Sequence, residues 1–330
     1  MKKIFALLLS AALLVTLLAA CGGGNTTDTD TDTQEPAADA STTQVEEQEP
    51  DTGDASKDDP LNQDEIGEKE LLVVSFGTSY NDSRRETIGA IEKAMQTAFP
   101  DYSVRRAFTS QIIIDHVKDR DGVTIDNVEQ ALERAVNNGV KTLVVQPTHL
   151  MNGLEYEELT DELAKYSDSF EKIAIGDPLL TSDADFEAVM TAITDATKDA
   201  AYGKTAICFM GHGTTADSNS VYSKMQTLLT DKGFNDYYVG TVEATPSLDD
   251  VLAAVQKGNY EKVVLRPLMI VAGDHANNDM AGDEDDSWKS TFEKAGYTVD
   301  CQVEGLGQLE AIQQLFVEHA KAAVASAEAE

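Results

Sequence analysis

Ala206-Ile-Cys-Phe-Met-Gly-His-Gly-Thr-Thr215 is an apolar run that breaks at Gly211-His212-Gly213. A short apolar run bounded by glycine reads as a buried strand, and helical spacing resumes a few residues later. In α/β proteins such strand-to-helix turns lie at the carboxyl end of a sheet, where ligands bind. The glycines permit a sharp turn and leave the His212 side chain uncrowded. Alone, a turn histidine is more often structural than functional. Glu243 and His275 alter that balance, because each also follows a strand-like run.

The same rhythm extends in both directions. Strands are predicted at 71–78, 102–108, 141–146 and 172–176, with helices at 82–99, 124–138, 156–166 and 182–200. From residue 205 the pattern restarts, with strands at 205–210, 236–242, 261–266 and 297–303 and helices at 217–232, 247–257, 285–295 and 307–326. Strands alternating with amphipathic helices call for parallel sheets covered on both faces. The expected fold is α/β with two similar lobes, 70–200 and 201–330, each a parallel four- or five-stranded sheet flanked by helices.

Local matches point to an internal duplication. Phe76-Gly77-Thr78 matches Met210-Gly211-His212, Tyr102-Ser-Val104 matches Tyr237-Tyr-Val239, Val145-Gln-Pro147 matches Leu265-Arg-Pro267, and Gly153 matches Gly273. These offsets make Thr78, Phe108 and Glu155 the counterparts of His212, Glu243 and His275. The second lobe thus gains a His, Glu, His set at three strand ends. Adjacent strands lie about 4.8 Å apart, so the three side chains are expected to converge. Two imidazoles and a carboxylate suit divalent first-row metals such as Co2+, Ni2+, Fe2+ or Zn2+, and three ligands leave positions open for substrate.

The amino-terminal stretch has a different composition. Met1-Lys-Lys3, the apolar Ile4 to Leu18, and Leu18-Ala-Ala-Cys21 form the pattern of a bacterial lipoprotein signal over residues 1–21, with Cys21 as the lipidated residue. Residues 22–69 hold 15 acids and two lysines without apolar periodicity, which predicts a disordered acidic tether. The net charge is −34, and residues 70–330 retain −23 of it, which argues against nucleic acid as a partner. The expected location is outside the cytoplasm, anchored to the cell membrane by lipid. Apart from Cys21 there are only Cys208 and Cys301, each in a strand-like run, read as buried thiols with one bridge left open.

Five segments carry a family resemblance. They are Ser75-Phe-Gly-Thr-Ser79, Gln146-Pro-Thr-His-Leu-Met-Asn-Gly153, Met210-Gly-His-Gly213, Val242-Glu243 and Arg266-Pro-Leu-Met-Ile-Val-Ala-Gly-Asp-His-Ala-Asn-Asn-Asp-Met280, the last continuing through Gly282-Asp-Glu-Asp-Asp-Ser-Trp288. Over residues 70–325 the chain resembles the anaerobic cobalt chelatases, CbiK, which are class II tetrapyrrole chelatases with a ferrochelatase-like fold. The resemblance implies ATP-independent insertion of Co2+, as substrate, into sirohydrochlorin or precorrin-2, with no tightly bound cofactor. It assigns His212, Glu243 and His275 to the metal, the same three residues the duplication picks out.

A chelatase must strip water from the metal, hold the macrocycle over it and remove two pyrrole protons. His212 is the first candidate for both ligand and proton acceptor, since imidazole is the usual general base near neutral pH. Asp274 is a candidate to orient His275. His149, Arg84, Arg85 and Arg266 are candidate substrate contacts, the arginines because a polycarboxylate would otherwise be repelled by so acidic a chain. The run Asp283-Glu-Asp-Asp286 reads either as solvated surface or as a cation-gathering patch. Homo-oligomers are compatible with all of this. The export signal does not match the cytoplasmic site of cobalamin-precursor synthesis. A rival reading is therefore a non-catalytic surface lipoprotein that captures metal, haem or a corrinoid for uptake, and a third is a structural module with an incidental set of ligands.

Overall fold

The computed structural model describes residues 52–329. The expected signal, Cys21 and most of the expected tether lie outside the described residues. In the first lobe β1 (Lys69–Ser75), α1 (Asn81–Glu86), α2 (Ile88–Ala98), β2 (Ser103–Phe108), α3 (Gln111–Asp121), α4 (Val128–Asn137), β3 (Thr142–Pro147), α5 (Leu154–Ala164), β4 (Lys172–Ile175) and α6 (Asp183–Thr197) follow in turn. The second contains β5 (Thr205–Gly211), α7 (Ser220–Asp231), β6 (Tyr237–Thr241), α8 (Leu248–Val255), β7 (Lys262–Pro267), α9 (Trp288–Lys294), β8 (Thr298–Cys301) and α10 (Glu310–Ala329). Both sheets have four parallel strands, ordered β2-β1-β3-β4 and β6-β5-β7-β8. The central strands β1 and β5 are apolar almost throughout because helices cover both of their faces.

Identical strand orders support the duplication, but pairing at the strand ends corrects its alignment. In the first lobe, Thr109 N–H donates to the Ser75 carbonyl, Ser110 N–H to Phe76 and Thr148 N–H to Val74. The corresponding donors in the second are Val242 to Gly211, Glu243 to His212 and Leu268 to Met210. The counterpart of His212 is therefore Phe76, and that of Glu243 is Ser110, each two residues from the expected position. Glu155 remains the counterpart of His275. The sequence matches had aligned glycine turns, whereas the ladder aligns strands.

Three other expectations change. The helix predicted at 82–99 is two helices that meet at Thr87, and α3 was not anticipated. The boundary near residue 200 does not separate the helices. Helix α10 packs on β3, β4 and α2 of the first lobe, while α6 packs on α7, and Thr197 donates to the Tyr237 hydroxyl of the second. One hydrophobic core therefore runs through both lobes, from Leu71 and Val144 to Phe209, Met225 and Phe316. Finally, residues 52–68, expected to belong to the tether, pack on the first lobe.

Asp58 and Leu61 explain that packing. Leu61 is buried in the shared core, and its carbonyl accepts from Arg106 N–H and from Arg105 Nε. The Asp58 carboxylate, 5 % exposed, accepts from Arg84 Nε at 2.6 Å and Arg106 Nη1 at 2.7 Å. Glu92 completes a buried four-charge cluster by a bidentate pair with Arg106 at 2.7 and 2.6 Å. Burial pushes the Asp58 carboxyl up, but the two guanidiniums outweigh it and hold the group below the ordinary carboxylate range. Removing one member of a buried ion cluster leaves its partners charged and desolvated, at a cost of about 3–5 kcal/mol. Asp58→Ala should lower the unfolding free energy by that amount in urea titrations, and a chain starting at residue 70 should be destabilised at least as much. A midpoint unchanged from wild type would show that the segment is not part of the fold.

Candidate functional site

His212, Glu243 and His275 follow β5, β6 and β7, three adjacent strands of the second sheet. The glycines around His212 are needed there. A Cβ on Gly211 would lie 2.1 Å from the Tyr222 ring, and Gly213 has φ +88 with Ala244 and Thr241 packed against it. The turn thus bends tightly over buried Tyr222, whose hydroxyl accepts from Gly213 N–H. The imidazole rings of His212 and His275 lie edge to face with centroids 4.7 Å apart, and His212 Nε2 is 4.0 Å from Glu243 Oε1. One ligand atom from each of the three residues falls within 4.8 Å of the others, which is close enough for a single ion. Among the described residues this is the one group of three or more such side chains.

Both imidazoles are held through Nδ1. His212 Nδ1 is 2.8 Å from the Gly213 carbonyl, and His275 Nδ1 is 2.7 Å from Asp279 Oδ2. A carbonyl and a carboxylate only accept, so each Nδ1 carries the proton and each Nε2 has its lone pair free for a metal. Asp274, the expected orienting group, instead accepts from the Asn278 amide at 2.7 Å. The three side chains are half-exposed to exposed, so the site is open rather than closed around an ion.

The structure separates the remaining candidates. Arg84 is fully buried in the cluster with Asp58, and Arg266 lies beneath the surface against Glu304 and Gln302. Both are closed off from solvent, against their reading as substrate contacts. Arg85 stays at the surface, tied to Asp82 and Glu86. Asp283 and Asp285 pair with Lys289 and Lys294 on an exposed turn. Cys208 and Cys301 are free. Both share a sheet row with Leu265, two strand spacings or about 10 Å apart, which is beyond disulfide reach.

Glu155 was not singled out from sequence, although the duplication placed it opposite His275. It stands at the start of α5, with Oε2 3.5 Å from His149 Nε2. Desolvation in the cleft raises its carboxyl, and the His212 imidazole partly offsets the rise. His149 is buried, and neither ring nitrogen has a hydrogen-bond partner. Burial pushes its pKa down to about 4, and Glu155 at 3.5 Å does not reverse this. It is thus a buried, neutral side chain beside Glu155.

Two lobes with parallel sheets of this order define a chelatase-like fold, and the His, Glu, His set over one of them has the spacing to hold a metal ion. SirB from Bacillus subtilis solved with Fe3+ has the same fold, with a TM-score of 0.57 at 14% identity, covering 80% of this chain and 98% of its own. A second SirB structure, a sirohydrochlorin chelatase in complex with cobalt, matches with a TM-score of 0.54 over the same shares at 15% identity. In sequence, residues 69–325 match the model of the family described as cobalt chelatase (CbiK). The sirohydrochlorin cobaltochelatase of Salmonella typhimurium is 38% identical over 251 residues, 76% of this chain and 94% of that protein. Sirohydrochlorin cobaltochelatase CbiKC of Nitratidesulfovibrio vulgaris is 30% identical over 78% of this chain and 91% of its own. The chain belongs to the cobalt chelatase family.

The state of His149 gives a pH signature. Its folded pKa lies below the ordinary 6.5, so the unfolded chain binds the extra proton, and stability present above pH 6.5 is lost as pH falls toward about 4. The full loss is roughly 3 kcal/mol. His149→Gln has no such proton to gain. The stability difference between wild type and this variant should shift by that amount between pH 7 and 4 in chemical denaturation, and a pH-independent difference would show that His149 titrates normally.

Proposed function

We propose that this chain inserts Co2+ into sirohydrochlorin, or its precursor precorrin-2, without ATP. The observation that carries the reading is the convergence of His212, Glu243 and His275 at three neighbouring strand ends, in a chain of the cobalt chelatase family. The two Nε2 atoms and the Glu243 carboxylate take the metal from water, and the side facing the cleft stays open to the macrocycle nitrogens. Ni2+, Fe2+ and Zn2+ suit the same donors, so selection among them rests on exchange rates and supply. No resident cofactor takes part.

Metal entry requires the departure of two pyrrole protons. His212 Nε2 faces the cleft and is tied only to a carbonyl through Nδ1, so it accepts the first proton as its bond to the metal loosens. Glu155, beside His212 and raised by desolvation, accepts the second. Phe76, the counterpart of His212 in the first lobe, is 47 % exposed and offers an aromatic face to the ring system.

Export adds a second part to the proposal. On the pattern Leu18-Ala-Ala-Cys21 the chain is lipidated on Cys21 and held outside the cytoplasm, where it meets tetrapyrrole and metal. Among the described residues no helix is long and apolar enough to cross a membrane, so such anchoring would fall to the lipid. Cys21→Ser should leave an unprocessed precursor or a protein released from membranes. Fractionation and mature mass identical to wild type would disprove lipidation.

Insertion is followed by absorbance under anaerobic conditions with sirohydrochlorin and Co2+. Wild type should accelerate insertion over an albumin control. His212→Ala should lower kcat by about 10² to 10⁴, the usual worth of a general base, and by more than it weakens metal binding. Glu243→Ala and His275→Ala should lower turnover with the fold intact. Wild type at the background rate with Co2+, Ni2+ and Fe2+ would overturn the enzyme reading in favour of capture for uptake.

A further inference from the structure

The two imidazoles at the site are supported differently. His212 leans on the carbonyl of the next residue, Gly213, a neutral group fixed by the turn itself. His275 leans on a carboxylate four residues along, at 2.7 Å. That spacing follows from a short π-turn, Ala276–Met280, which starts directly after His275. Such wide turns occur mostly as single turns at functional sites. Ala276 and Met280 are fully buried in the core of the second lobe and anchor the turn at both ends, while Asn277 donates back to the Gly273 carbonyl at 2.8 Å. Asp279, between these anchors, is thereby aimed at the His275 ring, with its outer side toward solvent.

We propose that Asp279 is the positioning residue of the metal site: it fixes the His275 ring and its Nδ1–H tautomer, making His275 the charge-backed metal anchor, while His212 is backed only by a neutral carbonyl. The assignment rests on the metal reading of the triad. A carboxylate behind an imidazole sets the tautomer and orientation of a ligand and puts negative charge behind it, and losing such a partner typically costs 10–100-fold in metal affinity or activity. The carbonyl behind His212 supplies orientation without charge. With His275 clamped, proton acceptance at His212 does not release the ion from the protein.

The test uses the full chain with Co2+ alone as the probe, in anaerobic calorimetry, together with 15N spectra of histidine-labelled apoprotein. Asp279→Ala should raise the Co2+ Kd, and the KM for Co2+ in insertion, by about 10–100-fold, with a smaller change in kcat. The His275 signals should move from the Nδ1–H tautomer toward a mixture of tautomers. Asp279→Asn keeps an accepting oxygen and should recover the tautomer and part of the affinity. In a His275→Ala background, Asp279→Ala should cost nothing further, because the two act as a unit. Unchanged Kd and tautomer in Asp279→Ala would overturn the proposal. So would an equal loss of affinity in the His275→Ala background, which would place Asp279 on the metal itself. Wild type that binds Co2+ without inserting it would sink the enzymatic reading while leaving these binding and tautomer outcomes to decide the role of Asp279.

Discussion

Parallel pairing at the carboxyl ends of β5, β6 and β7 is the constraint on which the site depends. Glu243 N–H donates to the His212 carbonyl at 2.9 Å, and Leu268 N–H to Met210 at 2.7 Å, so the ladder runs to the residues that carry the ligands. The ladder therefore sets the separation of His212 and Glu243 before any ion arrives, and the segment after β7 brings His275 to them. Donors held at near-coordinating distance lose little conformational entropy when they take a metal. Mutual repulsion is also small, since two of the three are imidazoles with Nδ1 tied back.

The lobes spend their charge differently. In the first, Asp58, Arg84, Glu92 and Arg106 are buried together and serve to bind residues 52–68 to the sheet. Over the second, the carboxylate and imidazoles stay open to the cleft. The pair His149 and Glu155 stands between these extremes, one side chain buried and neutral, the other half in water.

Much of this was legible in the sequence, for reasons that also explain what was not. Strand runs ending in Gly211-His212, Val242-Glu243 and the segment before His275 mark strand ends, and strand ends in a parallel sheet lie side by side. The alignment of the halves slipped by two residues because Phe76-Gly-Thr78 and Met210-Gly-His212 resemble each other as turns, while equivalence is set by a ladder that no local pattern encodes. Arg84 and Arg266 read as substrate contacts because so acidic a chain would repel a polycarboxylate, and the partners that bury them are remote in sequence. Asp58 lies in a stretch with the composition of a tether, and Glu304 lies beyond β8. Helix α3 escaped because Gln111–Asp121 interrupts its apolar residues with charges and buries only Ile114 and Val117. Asp279 was passed over for Asp274, since a π-turn brings the fourth residue round rather than the neighbour.

The crossed packing of α6 and α10 has a further consequence for how the molecule reaches its folded state. Helix α10, from the second half of the chain, packs on the sheet of the first lobe, while α6, from the first half, packs on α7 of the second. Each half has a core on one side of its sheet, but the core on the other side is shared, so a chain interrupted near residue 200 yields two fragments that each expose apolar surface until they meet. Unfolding is then expected to proceed as one cooperative event across both lobes, despite the two-lobed outline.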